Sequence, residues 1–267
     1  MKTRRKFLLG TLGVLGTTAL GGWLFRQPIL KRIAMSQGDF DATLLTYAPD
    51  GETACVLTTT ATDGPFFFPS PLRQDVREDR EGVDFDFKMQ LVRHDDCTPI
   101  EGANIEIWHC DAEGRYSGYP EEMSHDLWKS AMFLKNNADW DRPDLHTEPV
   151  TESKYLRGRQ VTDADGWVNF LSVFPGWYAG RVPHVHVKAF LPNGEQVSTQ
   201  FYFPNEFCDE LYTTVPPYDK YGKSEFRFEH DGVLTEGGDG AGVLLKMNRK
   251  EEAEGLWATA RMGVKMA

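Results

Sequence analysis

Residues 176–186 read GWYAGRVPHVH and place one tyrosine, one arginine and two histidines within eleven positions. One apolar residue separates His184 from His186, and residues 185–190 are apolar enough to continue as a strand. Alternate residues of a strand point to the same face, about 6.6 Å apart along the backbone, so both imidazoles are predicted to project together. Two such rings can converge on one metal ion. The alternative interpretation is a polar strand edge, with Tyr178 as an ordinary core residue.

The rest of the chain predicts a body rich in strands. Residues 83–92 alternate between apolar and polar side chains, as a half-buried strand does, and residues 103–108 alternate again. Residues 163–166 read DADG between two strand-like segments and predict a hairpin, whereas a calcium loop requires more acidic positions. Strands joined by turns favour an all-β fold with an antiparallel β-sandwich core, long loops and little helix.

Three segments interrupt this pattern. Residues 124–149 form a long insertion that we predict to be irregular and a candidate lid, because long loops on β scaffolds are often functional. Its histidines, His125 and His146, have no clear spacing relative to the central pair and are predicted to be solvated. Residues 204–221 are predicted to be a loop with short turns. The three phenylalanines at 66–68 are predicted to cap a core, and the wall of a binding pocket is the less favoured alternative.

The N-terminal segment indicates export. The first 36 residues carry seven basic side chains and no acidic one, and paired arginines at 4–5 precede an uncharged run at 7–25. This pattern is typical of a signal for the twin-arginine export machinery, although nineteen uncharged residues are also about long enough for a retained membrane anchor. We therefore assign residues 1–36 to an export signal or anchor and residues 37–267 to a single domain. The predicted location is periplasmic or extracellular.

The exported body is acidic and contains all of the cysteines. Removing the seven N-terminal basic residues from the 29 of the whole chain leaves 22 against 40 acidic residues, a formal charge of −18. Such a body is repelled by phosphate backbones, which predicts no nucleic-acid partner. An even number of cysteines outside the cytoplasm predicts two disulfides, although four cysteines allow three pairings. Cys97 and Cys110 flank a predicted strand, which favours a bond between them and leaves Cys55 for Cys208.

Two tyrosines extend the histidine pair into a candidate metal site. Tyr116 lies in the loop after the 103–108 strand, and Tyr178 lies just upstream of the histidines. Phenolate oxygen is a hard anionic donor that favours a ferric ion over metals that prefer thiolate. Two phenolates and two neutral imidazoles leave Fe(III) with one residual positive charge and with room for solvent or substrate. The pattern therefore predicts a non-haem iron site.

The ordered motifs resemble a known family. They are WHCDAEGRY at 108–116, GRQVTDADG at 158–166, the 175–186 segment and TQ at 199–200. In this order they are similar to the intradiol ring-cleavage dioxygenases, the family of catechol and protocatechuate 3,4-dioxygenases. The resemblance extends from about residue 62 to residue 203, and the export signal makes the chain look like the exported single-domain members.

The resemblance implies a site and a reaction. By resemblance, one Fe(III) per chain is bound by four ligands: Tyr116, Tyr178, His184 and His186. In the family, the tyrosine matched by Tyr178 leaves the iron when substrate binds and takes up a substrate proton. The arginine matched by Arg181 stabilises negative charge on the ring, and Gln200 matches a glutamine of the pocket. The implied substrates are a small aromatic 1,2-diol and O₂, and the implied product is a muconate-type diacid. The resemblance leaves homo-oligomerisation open.

Two other functions compete with this interpretation. The first is an exported, non-catalytic β-sandwich that binds aromatics or carbohydrate and has lost iron. The complete set of tyrosines, histidines and Arg181 argues against it, because a binding module needs no such set. The second is a zinc hydrolase that would use His184 and His186 with a carboxylate, but no Asp or Glu has a matching spacing. Metal content discriminates among the three.

Overall fold

The computed structural model describes residues 46–47, 55–142, 145–236, 242–251 and 254–266. The predicted export signal or anchor at residues 1–36 lies outside these described residues. Among the helices that are described, none has the length and the apolar character needed to cross a membrane.

Strands outnumber helices in the described residues. The strands are β1 (Thr46–Tyr47), β2 (Asp84–Arg93), β3 (Asn104–Trp108), β4 (Ala138–Asp139), β5 (His146–Thr147), β6 (Arg157–Val161), β7 (Trp167–Val173), β8 (His184–Phe190), β9 (Gln196–Tyr202), β10 (Val243–Leu244), β11 (Asn248–Arg249) and β12 (Leu256–Val264). The helices are α1 (Leu127–Asn137), α2 (Asn205–Thr214) and α3 (Gly232–Glu236), with short 3₁₀ helices at Glu121–Met123, Tyr218–Lys220 and Phe228–His230.

Two sheets pack face to face. One has the strand order β1-β10-β9-β8-β3-β6 and the other has the order β11-β12-β2-β7. Their inward side chains share one buried core, in which Phe87 of β2 contacts Phe201 of β9 with ring centroids 5.4 Å apart. Burial of each such side chain stabilises the fold by about 1.5–3 kcal/mol. The predicted all-β sandwich is confirmed. The apolar residues of the alternation predicted at 83–92 form the core-facing side of β2.

Both sheets are mixed rather than purely antiparallel. β12 runs parallel to β2 over nine residue pairs, and β10 runs parallel to β9. Parallel neighbours require a long crossover connection, and both of these C-terminal strands return to the sheets after the helical segments. The C-terminal part of the chain therefore adds strands to both sheets.

The DADG turn at 163–166 links the two sheets instead of closing a hairpin. β6 pairs with β3 in one sheet, whereas β7 pairs with β2 in the other. The tight turn itself is present, because Asp163 Oδ1 accepts a hydrogen bond from the backbone N–H of Trp167 at 2.8 Å. The hairpin prediction is wrong because Thr162, at the end of β6, donates from its hydroxyl to the Ile100 carbonyl at 2.7 Å. That contact holds the chain in the sheet of β3.

Two segments that were predicted to be irregular contain helices. Asp126 caps α1 by accepting two backbone hydrogen bonds, each of 3.0 Å. On one face, α2 buries three side chains spaced three and four residues apart: Cys208, Leu211 and Tyr212. The predictions for 124–149 and 204–221 are corrected to this extent. Apolar periodicity over only ten or eleven residues is a weak signal beside the prolines and polar residues that surround it.

The cysteine pairing differs from the expected one. Cys55 forms a disulfide with Cys97, with Cα atoms 5.4 Å apart, while Cys110 and Cys208 are buried free thiols. The expected Cys97–Cys110 and Cys55–Cys208 bonds are therefore wrong. Residues 55–58 run beside the end of β12, and the turn that carries Cys97 meets the same end, since His94 N–H donates to the Val264 carbonyl at 3.0 Å. Cys110 follows the C-terminal end of β3, whereas Cys97 lies in the turn before that strand.

This pairing predicts the result of a labelling experiment. In protein denatured without reductant, an alkylating reagent should modify Cys110 and Cys208, and peptide mapping should recover a Cys55–Cys97 crosslink. Replacing both bonded cysteines by serine should lower the free energy of unfolding by about 4 kcal/mol, because the bond closes a loop of 42 residues. In the presence of reductant, the variant and the wild type should unfold alike. Recovery of a Cys97–Cys110 crosslink would contradict the assignment.

Candidate functional site

The two histidines at the start of β8 face each other. Both are almost fully buried, and their Nε2 atoms lie 3.0 Å apart. β8 is an interior strand of its sheet, between β9 and β3, so the backbone that carries the histidines is hydrogen-bonded on both sides. The predicted projection of both rings to one face is therefore present in the structure.

The tautomer of His184 follows from its surroundings. Its Nδ1 lies 2.6 Å from the Val182 carbonyl, so Nδ1 carries the proton and donates it. Burial, with the nearby charge of Arg181, holds the pKa of His184 well below its ordinary value. The ring is therefore neutral, and its Nε2 presents a lone pair to His186. A second hydrogen bond that orients a ring in this way is usual for metal-binding histidines.

The ring of His186 is fixed by packing. Trp108 of β3 stacks on it with ring centroids 4.8 Å apart and an interplanar angle of 8°. On another side lies Gly64, whose φ of +72° suits glycine and whose added Cβ would lie 3.3 Å from His186 Cε1. Burial lowers the pKa of His186 well below its ordinary value, and the nearby charge of Arg181 acts in the same direction. His186 is therefore a second neutral imidazole in a fixed position.

Both tyrosines converge on this pair. The Tyr178 hydroxyl lies 3.4 Å from His184 Nε2, and the Tyr116 ring lies 5.5 Å from the Tyr178 ring and 6.4 Å from that of His186, measured between centroids. The Tyr116 hydroxyl is buried and has no hydrogen-bond partner of normal geometry among the described residues, although it interacts with Tyr178. Burial raises the pKa of Tyr116 well above its ordinary value and that of Tyr178 to about 12. Without a cation, both phenols therefore keep their protons.

The two loops that carry the tyrosines dock against each other. The N–H of Gly176 donates to the Asp111 carbonyl at 2.9 Å. Gly114 has a φ of +78°, and a Cβ on it would lie 2.1 Å from the carbonyl oxygen of Trp177. Only glycine fits at this contact, because any side chain would separate the loops. The spacing between Tyr116 and Tyr178 therefore depends on contacts between segments that are distant in sequence.

A buried polar cluster lies beside the tyrosines and histidines. Arg181 Nε donates to both carboxylate oxygens of Asp231, at 3.0 and 2.8 Å, and its Nη2 donates to Gln200 Oε1. The Tyr202 hydroxyl donates to the same Gln200 oxygen at 2.7 Å. Burial alone would lower the pKa of Arg181, but the charges of Asp231 and the tyrosines raise it above its ordinary value. The guanidinium therefore stays cationic.

Sequence reasoning missed two members of this cluster. Tyr202 follows Gln200 by two positions on β9, so strand alternation could have placed both on one face. Asp231 follows a short 3₁₀ helix about fifty positions after Arg181, and no local pattern indicates that the two meet. The four candidate ligands, Arg181 and Gln200 are otherwise brought together as the sequence predicts.

A second buried cluster covers one side of the site. Phe66 packs on Tyr116 with ring centroids 5.0 Å apart, and Phe67 packs on Trp108 at 4.9 Å. The guanidinium of Arg157 lies 3.8 Å above the Phe68 ring, and its Nε donates to the Ser117 hydroxyl at 2.7 Å. The three phenylalanines do cap a core, as predicted, and this core is the small cluster that contains Tyr116.

The insertion lies against the tyrosine loop. The N–H of Ala179 donates to the Ser124 carbonyl at 2.7 Å, so the start of the insertion lies next to Tyr178. Its two histidines are not solvated, which corrects that prediction. The ring of His125 stacks on Tyr221 with centroids 3.7 Å apart, and His146 is buried with its Nε2 3.0 Å from Glu148. His125 is thus half-buried against an aromatic ring from outside the insertion, whereas the carboxylate beside His146 lies two positions later in the insertion itself.

A carboxylate-based metal site is absent from the described residues. They contain no group of three or more His, Cys, Asp or Glu side chains that could hold a metal ion. The two histidines therefore have tyrosines, and no carboxylate, as their neighbouring donors. Among the described residues, this arrangement does not supply the carboxylate ligand that the zinc-hydrolase alternative would use.

Comparisons with known proteins identify the family of the chain. A protein-family model described as Dioxygenase matches residues 64–216. The chain is 27% identical over 150 residues to a chlorocatechol 1,2-dioxygenase of Cupriavidus pinatubonensis, which covers 55% of this chain and 54% of that protein. It is 28% identical over 116 residues to a protocatechuate 3,4-dioxygenase beta chain of Burkholderia cepacia, over 40% of each chain. The chain thus spans about half of the chlorocatechol dioxygenase, and less of the second relative.

A solved structure matches over a larger part of its length. The intradiol ring-cleavage dioxygenase from Tetranychus urticae superposes with a TM-score of 0.63 at 25% identity, over 79% of this chain and 95% of that one. The family match covers more than half of the 267 residues and includes all four candidate ligands. From its motifs, its fold and these matches, the chain belongs to the intradiol ring-cleavage dioxygenase family.

Proposed function

We propose that this protein is a non-haem Fe(III) dioxygenase that opens a 1,2-dihydroxybenzene ring between its two hydroxyl-bearing carbons. The co-substrate is O₂ and the product is a muconate-type diacid. The observation that carries the proposal is the convergence of two tyrosines and two neutral histidines in one buried cluster. Membership of the family supports a catechol-type substrate.

The donor set fits a ferric ion. We propose that one Fe(III) is held by Tyr116, Tyr178, His184 and His186. The two Nε2 atoms face each other at 3.0 Å, and among the described residues the buried Tyr116 oxygen has no partner of normal geometry. Both phenols have raised pKa values, and a strongly charged cation is what would convert them to phenolates. Hard anionic oxygen with neutral imidazole suits ferric iron.

The proposed chemistry divides between the metal and the protein. When bound, the ion supplies Lewis acidity, which favours the doubly deprotonated diol. We assign to Tyr178 the role of base, because burial raises the pKa of its phenol and so favours uptake of a hydroxyl proton from the substrate. Arg181 stays cationic and stabilises negative charge that develops on the ring, and Gln200 holds the Arg181 Nη2 in place.

The compartment follows from separate observations. We propose that residues 1–36 direct the chain through the twin-arginine machinery to the periplasm or the exterior, and that residues 37–267 form the catalytic domain. The Cys55–Cys97 disulfide supports an oxidising compartment. The twin-arginine route carries folded proteins, which suits a metal loaded before export.

The first experiment is a visible absorption spectrum of the purified protein together with an iron assay, before and after addition of catechol. Tyrosinate bound to Fe(III) gives a charge-transfer colour, and a chelating catecholate should shift it. We expect about one iron per chain, a catechol-dependent shift and catechol-dependent O₂ uptake. A colourless protein that cannot take up iron would favour the non-catalytic binding module instead.

Loss of either histidine should remove the metal. In His184→Ala and in His186→Ala we expect iron content to fall to background, because the remaining donors cannot compensate for a lost imidazole at a buried site. The matched control is His94→Ala, in the turn after β2, which should keep full iron content. Full iron occupancy in both site variants would refute the ligand assignment.

Removal of the Tyr178 hydroxyl should separate metal binding from turnover. Tyr178→Phe should retain part of its iron through the other three ligands, while kcat falls by about a hundredfold or more, as expected for loss of a general base. Tyr155→Phe, which changes a buried tyrosine outside the site, is the control and should keep its kcat. An unchanged kcat in Tyr178→Phe would remove its role as base.

A further inference from the structure

The buried carboxylate of Asp231 is a feature that the family match does not explain. Asp231 has no exposed surface and lies between the 3₁₀ helix Phe228–His230 and α3. It comes after residues 64–216, the part of the chain that matches the family model. A buried carboxylate is costly unless charged and hydrogen-bonding partners surround it, so its partners indicate why it is there.

Three of the described hydrogen bonds to Asp231 come from the segment that enters β8. Both carboxylate oxygens accept from Arg181 Nε, and Oδ2 also accepts from the N–H of Val182 at 3.0 Å. Oδ1 accepts in addition from the N–H of Val233 at 3.0 Å, which anchors the carboxylate to its own segment. Val182 in turn accepts the proton of His184 Nδ1 through its carbonyl. Asp231 is thus connected to Arg181 directly and to His184 through one residue.

The contacts leave one edge of the arginine available. Asp231 holds Nε, and Nη2 donates to Gln200 and to the Tyr202 hydroxyl at 3.3 Å. Among the described residues, Nη1 has no hydrogen-bond partner, and the side chain keeps 16% of its surface exposed. A planar guanidinium held on two sides cannot turn, so its third side has a defined direction.

We infer that Asp231 is a positioning residue for Arg181, which holds the guanidinium so that Nη1 remains as the edge that meets the substrate. The carboxylate acts through Arg181 and does not touch the substrate. It also fixes the Val182 peptide, whose carbonyl accepts the hydrogen bond from His184 Nδ1. This inference rests on the proposed function, because it assumes that Arg181 acts on a bound ring.

The kinetic test uses Asp231→Asn in the iron-loaded protein. The asparagine keeps the volume but loses the charge, and its amide NH₂ would face an N–H donor, of Arg181 and Val182 or of Val233, where the carboxylate presents an acceptor oxygen. We expect iron content and the anaerobic catechol-induced spectral shift to be retained, with kcat reduced about tenfold to a hundredfold and KM changed by less. Arg181→Ala combined with Asp231→Asn should lose no more than Arg181→Ala alone. Asp231→Glu, which restores the charge, should recover part of the loss.

The matched control is Asp209→Asn. Asp209 accepts two hydrogen bonds, of 2.8 and 2.9 Å, from Arg227. Arg227 lies just before the 3₁₀ helix that precedes Asp231. If Asp231 acts only by docking this segment, Asp209→Asn should lower kcat equally, and that result would overturn the inference. Wild-type kcat in Asp231→Asn, or additive losses in the double variant, would also overturn it.

A measurement without turnover separates this inference from the proposed function. Phenylglyoxal modifies exposed guanidinium groups, and peptide mass spectrometry follows the reaction at Arg181. We expect the rate at Arg181 to rise at least fivefold in Asp231→Asn, with the rate at Arg227 unchanged. An unchanged rate at Arg181 would overturn the inference, even in a protein that proved inactive with catechols.

Should Asp231→Asn fail to fold, Arg181→Lys tests the same point, because lysine keeps the charge and loses the Nε contact. Full kcat in Arg181→Lys would overturn the inference.

Discussion

The site depends on two neutral imidazoles whose Nε2 atoms face each other at 3.0 Å inside the protein. The arrangement requires an interior strand that holds both residues on one face. It also requires an acceptor for the opposite nitrogen of His184 and a flat partner for the ring of His186. β8 supplies the first, the Val182 carbonyl the second and Trp108 the third. Burial keeps the rings uncharged, so their lone pairs remain available to a cation.

In the part of the chain that the structure describes, two largely buried arginines lie near the cluster of tyrosines and histidines. Arg181 is paired with Asp231, whereas the buried Arg157 is held by the Ser117 hydroxyl and carbonyl and by the face of Phe68. Burial lowers the pKa of Arg157 to about 10, the direction expected when a cation lacks a close anionic partner. Two phenols complete this region. A ferric ion held by two phenolates would place negatively charged oxygen near these two arginines. A set of neutral donors would place no negative charge there.

Local patterns predicted the sandwich and the projection of both histidines to one face, and they failed where two distant segments decide the outcome. The alternation along the first half of β2 and the His-x-His spacing in β8 each involve one element, and both are present as expected. The DADG turn shows the limit of such patterns. Its backbone is tight as predicted, yet β6 pairs with β3 and β7 pairs with β2, so the two strands join different sheets. The short helices α1 and α2 were not predicted, because ten or eleven residues give only a weak periodic signal.

The sequence by itself determined the residue types of the site, the alternation that puts both histidines on one face, and the ordered motifs of the family. Only the tertiary structure decided which cysteines bond, how closely the tyrosine loops dock at Gly114, and that Asp231 meets Arg181. The physical reason is the range of the interactions. Alternation and turn geometry arise from the backbone of neighbouring residues, whereas a disulfide, a loop contact or a buried ion pair forms only after both sheets have packed and distant segments have come together.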